Sequence, residues 1–170
     1  MSKKFFIVIS GPTGVGKTDF VEKLIEKSNL RFEVVNADVG QFYKPLSIGT
    51  AKPDLEHQNV KHHLFDILNG PESFTVFEYR KVLIDCLNDL WSRKVITIIV
   101  GGSSLYIKSI FFPTYQFSNK KTSLDLSKFT LKEIYNQLKL IDPERAKLID
   151  PNDRYRIERA LQIWHQTGQL

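Results

Sequence analysis

Cysteine is almost missing from this chain: Cys86 stands alone among 170 residues. No intrachain disulfide is possible, no cysteine metal cluster can form, and a reducing, intracellular compartment is the default. Long apolar runs are also missing. The start, "MSKKFFIVIS", has two lysines and then apolar residues. Its apolar stretch is shorter than the core of a signal peptide and runs straight into Gly11-Pro12. Nothing approaches the length of a membrane span, so a cytoplasmic protein without a membrane partner is expected. There is no internal repeat and no low-complexity segment. His62 and His63 are adjacent, and neighbours on a strand point to opposite faces, so no metal site is expected from them.

The chain is 42% hydrophobic and 25% charged, with twelve Phe, six Tyr and two Trp. That composition suits a soluble globular protein with a real core. A formal net charge of +5 is a mild basic excess, compatible with a polyanionic partner and not diagnostic of one.

"FFIVIS" (5–10) is a short continuous apolar run before Gly-Pro and reads as a buried parallel strand. Residues 18–27 have helical spacing at Phe20, Val21, Leu24 and Ile25. "RFEVV" (31–35) and "HHLFDIL" (62–68) read as the next two strands. Thr75 and Glu78 match a capping box. An amphipathic helix should follow to about Lys94, with Tyr79, Leu83, Leu87 and Leu90 inward. "VITIIV" (95–100) is a β-branched strand, and "SSLYIKSIFF" a short helix after it. The alternation predicts a three-layer α/β sandwich with a parallel sheet. Three pieces are expected: a core over 1–112, a reduced insertion over 113–141, and a helical segment over 142–170 that packs back on the core. Within them, 113–125 reads as a polar loop and 131–141 as a helix. Asp142-Pro143 starts another helix by the cap-then-proline rule. A last helix runs from near Asp153, with Ile157, Ala160, Leu161 and Trp164 on one face, to Thr167-Gly168.

"GPTGVGKT" contains Gly11, Pro12, Thr13, Gly14, Val15, Gly16, Lys17 and Thr18. It fits G-x-x-x-x-G-K-[ST] and lies between a strand and a helix, as that motif requires. Its glycines let backbone N–H groups turn inward around a phosphate, and the helix N-terminus adds partial positive charge. Lys17 adds a full charge, and the Thr18 hydroxyl can ligate Mg²⁺. The loop specifies a phosphate or diphosphate, not ATP. A hydrolysing P-loop ATPase usually has an acid at the end of a later apolar strand. Here that strand runs into Gly101-Gly102, which weakens a motor or switch ATPase reading.

Asp38 follows the second strand, in "VVNADVGQFY". In an open α/β sheet ligands sit at the carboxyl ends of the strands, so Asp38 should face the same crevice as the phosphate loop. A carboxylate there can act as a general base. It can equally be a turn or capping aspartate, and position alone does not separate the two roles.

"GPTGVGKT", "NADVGQFY", "IGTAKP" and "VGGSSLY" occur in the order and at the spacing of the tRNA dimethylallyltransferases. "HHLFDIL" and "DPERAKLIDPNDRYRIERALQIW" resemble that family too, so the resemblance covers residues 5 to 168. It implies transfer of a dimethylallyl group from its diphosphate to the exocyclic N6 of the adenosine 3′ of the anticodon in tRNA. The phosphate loop would then hold the leaving group, with Lys17 and Mg²⁺ on Thr18 stabilising its charge. Asp38 would accept the proton from the adenine amine, and the target base must leave its stack. Ser103 matches a family threonine near the diphosphate. Tyr106 ends the same motif and reads equally as a core aromatic. The resemblance implies tRNA contacts at Asp38, Val39, Gly40, Gln41, Tyr155, Arg156 and Arg159. Lys52 would face phosphate or RNA, against a plain solvated lysine. The last helix also reads as a solvated face, with Asp153 as its cap and Glu158 pairing nearby.

Three departures stand out. Val39 replaces the family serine after the aspartate, and Gly40 takes a place commonly held by a larger residue and is expected to add flexibility. Ser103 replaces threonine and loses the methyl that fixes its rotamer. The chain reads as a short form lacking the usual C-terminal region, where the family carries a further diphosphate-gripping arginine. Losing such a clamp costs on the order of 10²–10³ in rate. A monomer is expected. The alternatives are an inactive tRNA- or diphosphate-binding remnant and a small-molecule P-loop kinase. The kinase would need ATP and an arginine lid, and no arginine-rich lid lies between Gly102 and Asp142.

Overall fold

The computed structural model describes residues 4–55, 60–112 and 124–168. Four parallel strands form one sheet: β1 (Phe6–Ser10), β2 (Phe32–Asn36), β3 (His62–His63) and β4 (Ile96–Gly101), in the order β1-β4-β2-β3. β4 lies between the other two long strands, pairing Phe6 with Thr97 on one side and Phe32 with Ile96 on the other. Both long neighbours bury it, which is why its sequence is continuously apolar. The parallel α/β sandwich read from the sequence is the fold found.

Alternation along β2 divides the core between two faces. Val34 and Phe32 join Val21 of helix α1 (Lys17–Glu26) and Ile98. Val35 and Ala37 join Tyr79, Leu83, Leu87 and Leu90 of helix α2 (Val76–Ser92) and Tyr106 of helix α3 (Ser104–Phe111). The box expected at the start of α2 is present. Thr75 Oγ1 accepts from the Glu78 N–H at 3.2 Å, and Glu78 accepts from the Thr75 N–H at 2.7 Å.

Glu33, on the α2 side of β2, is a buried charge that needs partners. Arg93, at the C-terminus of α2, gives it a bidentate pair at 2.6 and 3.0 Å, and His63 Nε2 lies 2.6 Å from it. One carboxylate therefore ties β2, β3 and α2 together. The Arg93 guanidinium beside it holds its pKa down at about 2, with His63 reinforcing the effect against the opposing pull of burial.

The third strand is shorter than the expected 62–68. Leu64 (φ 59°) and Asp66 (φ 53°) adopt left-handed backbone, which ends the ladder after His63. The segment then runs beside a 3-10 turn, Val39–Phe42. Leu68 N–H donates to Phe42 at 3.0 Å, and Lys44 N–H donates to Leu68 at 2.8 Å.

Residues 1–115 and 116–170 form two compact units. In the second, helices α4 (Leu131–Ile141), α5 (Pro143–Leu148) and α6 (Arg154–Thr167) share one core of Leu126, Ile134, Leu138, Ala146, Ile157, Ala160 and Leu161. The described part of the expected 113–141 insertion thus packs with the 142–170 segment, and the two do not form separate pieces. The polar loop expected over 113–125 falls largely outside the described residues. Asp142 and Asp153 cap α5 and α6 as expected, accepting from the Arg145 and Arg156 N–H groups at 2.9 Å each. Thr130 and Glu133 form a second capping box. Trp164, expected on the buried face, is 38% exposed and lies outside this core.

Candidate active site

The turn from β1 into α1 depends on two glycines. Gly14 (φ 81°) and Gly16 (φ 84°) hold left-handed backbone that other residues adopt only under strain. The loop so formed bends round Lys17, whose Nζ donates to the Gly11 carbonyl at 3.0 Å and the Pro12 carbonyl at 2.8 Å. Thr18 follows in the first turn of α1, exposed, with Asp19 next to it in the same turn.

A cavity of about 610 Å³ opens over this loop. Thr13, Gly14, Gly16, Lys17 and Thr18 line one side; Asp38 and Gln41 line another; Thr50, Ala51 and Pro53 close a third. Asp38 therefore faces the crevice of the phosphate loop, as its place after β2 predicted. Gly11, Pro12 and Val15 belong to the loop without lining the cavity. The α1 carboxylates Asp19, Glu22 and Glu26 also line it, with Val21, Ile25 and Phe65.

Asp38 itself is closely held. Its Oδ1 accepts from the Gly40 N–H at 3.2 Å, so it does cap the 3-10 turn. Its Oδ2 lies on the Gly102 side: a β-carbon on Gly102 would come within 3.3 Å of Oδ2, 3.4 Å of the Gly11 carbonyl oxygen and 4.0 Å of Lys17 Nζ. Turn capping and an open carboxylate oxygen coexist in one side chain. Ser103 grips the same segment. Its N–H donates to Ala37 at 3.3 Å, and its Oγ accepts from the Val39 N–H at 2.9 Å. Gln41 Nε2 donates to the Thr50 and Ala51 carbonyls at 2.9 and 3.3 Å, joining the Asp38 turn to the next loop.

Two expectations are corrected. Gly40 does not act as a flexible element. It lies inside the 3-10 turn, and a β-carbon there would sit 2.7 Å from Thr50 Cγ2, so it permits a close approach. Lys52 does not face phosphate or RNA. Its side chain is 5% exposed, pairs with Asp66 and donates to the Tyr43 carbonyl at 2.9 Å. In the second unit Tyr155 is 77% exposed on α6, Arg159 is exposed, and Arg156 is exposed but paired with Asp153. Arg154 is spent internally, on Glu158 and on the Leu126 and Phe129 carbonyls. Tyr106 is a core aromatic, bonded through its hydroxyl to Phe74. Burial pushes the Cys86 thiol up to about 11, away from the thiolate form that reacts. Among the described residues no group of three or more His, Cys, Asp or Glu could hold a metal, and His62 has its Nδ1 2.7 Å from Val60 O.

Sequence reasoning missed Asn36 and Gly101. Asn36 is the polar end of an otherwise apolar strand, which was a usable signal. Gly101 was noticed only for the acid it replaces.

A phosphate loop between the first strand and helix of a parallel sheet, with an acid just beyond β2, one strand further across the sheet, defines a P-loop NTPase-like protein. Comparison narrows the class. The family model described as "IPP transferase" matches residues 41–170. A tRNA dimethylallyltransferase of Anoxybacillus flavithermus is 42% identical over 96% of this chain and 53% of its own length. Another, from Citrifermentans bemidjiense, is 40% identical over 96% and 54%. A eukaryotic dimethylallyltransferase acting on tRNA superposes with a TM-score of 0.83 at 32% identity, covering 98% of this chain and 43% of its own. The tRNA isopentenylpyrophosphate transferase of Bacillus halodurans gives 0.61 at 31% identity, covering 98% and 57%. The chain belongs to the IPP transferase family. It spans about half the length of the relatives it matches.

Proposed function

We propose that this chain carries the reaction centre of a tRNA dimethylallyltransferase, using dimethylallyl diphosphate to prenylate N6 of the adenosine 3′ of the anticodon. One observation carries the reading: the phosphate loop and Asp38 line a single cavity, and a β-carbon on Gly102 would lie 3.3 Å from Asp38 Oδ2 and 4.0 Å from Lys17 Nζ. A leaving group and a proton acceptor are needed within one substrate's reach, and this arrangement supplies both.

The adenine N6 attacks the allylic carbon, the carbon–oxygen bond to diphosphate breaks, and the electron pair leaves on the diphosphate. Lys17 and the loop N–H groups stabilise that charge. Lys17 exchanges its bonds to the Gly11 and Pro12 carbonyls for phosphate oxygens. An adenine amine is too weak an acid to ionise in advance, so Asp38 Oδ2 takes the proton as the C–N bond forms or afterwards. Thr18 would hold Mg²⁺ through its hydroxyl, a hard oxygen donor of the kind that ion takes, with the Asp19 carboxylate next to it on the cavity. When bound, the ion neutralises charge on the leaving diphosphate. Ser103 keeps the Asp38 segment against the loop. Gln41 on the cavity wall, with Val39 and Gly40 beside it in the turn, meets the tRNA, and the exposed Tyr155, Arg156 and Arg159 of α6 serve as backbone contacts. A tRNA substrate also fits the cytoplasmic expectation.

The test is transfer of labelled dimethylallyl from its diphosphate to unmodified tRNA by residues 1–170 with Mg²⁺. Label that disappears in Asp38→Ala supports the reading. A folded chain that binds diphosphate and transfers nothing would leave a binding role, and strict ATP dependence would favour the kinase.

A further inference from the structure

We infer that Asn36 is the positioning residue for Asp38, holding the peptide units on both sides of the carboxylate through one buried amide. Asn36 is fully buried at the end of β2. Its Oδ1 accepts from the Asp38 N–H at 2.8 Å, and its Nδ2 donates to the Asp38 carbonyl at 3.1 Å. The second hydrogen on Nδ2 goes to the Leu64 carbonyl, also at 3.1 Å, at the left-handed residue that ends β3. The Asn36 carbonyl accepts from the buried Tyr79 hydroxyl at 3.0 Å. Every hydrogen on the amide is used.

The consequence is geometric. Beyond β2 the chain has left the ladder, and the Asp38 peptide groups have no strand partner. The Asn36 side chain accepts from the Asp38 N–H and gives the Asp38 carbonyl a second donor beside the Gln41 N–H at 3.1 Å, so the Asp38 peptide groups are held on both sides while the carboxylate projects from a turn. Oδ1 is then fixed on Gly40, and Oδ2 is left directed over Gly102 towards the loop. Asn36 itself does not line the cavity and touches no substrate. No other uncharged residue of this length offers a donor and an acceptor together. Aspartate keeps only the acceptor, and alanine keeps neither.

The inference rests on the transferase reading, and the experiment separates the two. Residues 1–170 are compared with Asn36→Ala and with the isosteric Asn36→Asp, the latter in case alanine prevents folding. Transfer kinetics, diphosphate affinity by calorimetry and amide exchange at Asp38 by NMR are recorded on each. A misplacement of the reacting group by about 1 Å costs on the order of 10²-fold, so kcat should fall about 10- to 100-fold in both variants. Diphosphate affinity should stay within about twofold, because the loop makes it. In Asn36→Asp the added negative charge should also move the acid limb of the kcat–pH profile upwards. Unchanged kcat in both variants overturns the inference. So does a fall in kcat matched by an equal fall in diphosphate affinity, which a general loss of structure would give. If the parent chain transfers no label, the transferase reading fails and amide exchange alone decides. Exchange at Asp38 is read in Asn36→Ala, or in the similarly sized Asn36→Leu should alanine not fold, because Asn36→Asp keeps the acceptor for the Asp38 N–H. Exchange that quickens at Asp38 more than at the other amides of the sheet supports the positioning role, and exchange there that is unchanged, or that quickens only as much as the rest, overturns it.

Discussion

A β-carbon on Gly101 would lie 2.2 Å from the carbonyl carbon and oxygen of Ala37. The end of β4 and the residue before Asp38 therefore meet backbone to backbone, closer than any side chain allows. This is why an acid is missing where a hydrolysing P-loop enzyme keeps one. The space is occupied by the segment that carries Asp38.

Gly101→Ala should accordingly damage stability and transfer together. Overpacking at backbone should cost at least about 2 kcal/mol, read as a lower urea midpoint. Transfer should fall further than the folded fraction, because relief of the clash moves Ala37 and with it Asp38.

Asp38→Ala should abolish transfer and leave diphosphate binding near the parent value. Lys17→Ala should do the reverse in order, losing diphosphate affinity first. Calorimetric titration with inorganic diphosphate, beside the labelled transfer assay, checks both. Parent-like transfer by Asp38→Ala would remove it as the base.

Lys52→Ala should act on folding and not on RNA. The change removes the cation from Asp66 and one of the two donors to the Tyr43 carbonyl, which keeps the Leu46 N–H, with an expected loss of about 1–3 kcal/mol. Because its ammonium is spent inside the loop, the salt dependence of tRNA binding should keep its slope. A shallower slope by about one phosphate contact would show that Lys52 reaches RNA.

Glu33 makes the fold acid-sensitive in a defined window. Its pKa is lowered from 4.5 to about 2 in the folded chain, so the stability it contributes is complete above 4.5 and is lost as pH falls towards 2. Glu33→Gln should flatten that part of the stability–pH curve, measured by urea unfolding, while reducing stability at neutral pH by taking the buried anion from His63 and leaving Arg93 with Asp89 alone.

Much of this protein is local and therefore legible in sequence. Gly14, Gly16 and Lys17 sit within one turn, so their spacing alone states a phosphate loop. Thr75 and Glu78, Asp142 and Pro143, and Asp153 and Gly168 mark helix ends through bonds to neighbours a few residues away. The apolar run of β4 announced a strand buried on both faces. The position of Asp38 after β2 was enough to aim it at the loop.

What the sequence left open depended on contacts between distant segments. Lys52 read as a surface cation until Asp66 and Tyr43 were seen to hold it. Gly40 read as added flexibility until Thr50 was found against it. The 62–68 run read as a strand until the left-handed Leu64 and Asp66 ended it. Whether Asp38 is a cap or an open carboxylate had no answer in its neighbours, because both are true: Gly40 takes one oxygen locally, and the other is directed by Asn36, Ser103 and the space at Gly102. Hydrogen bonds within a turn are written in residue order. Those that aim a carboxylate exist only once β2 and β4 have paired.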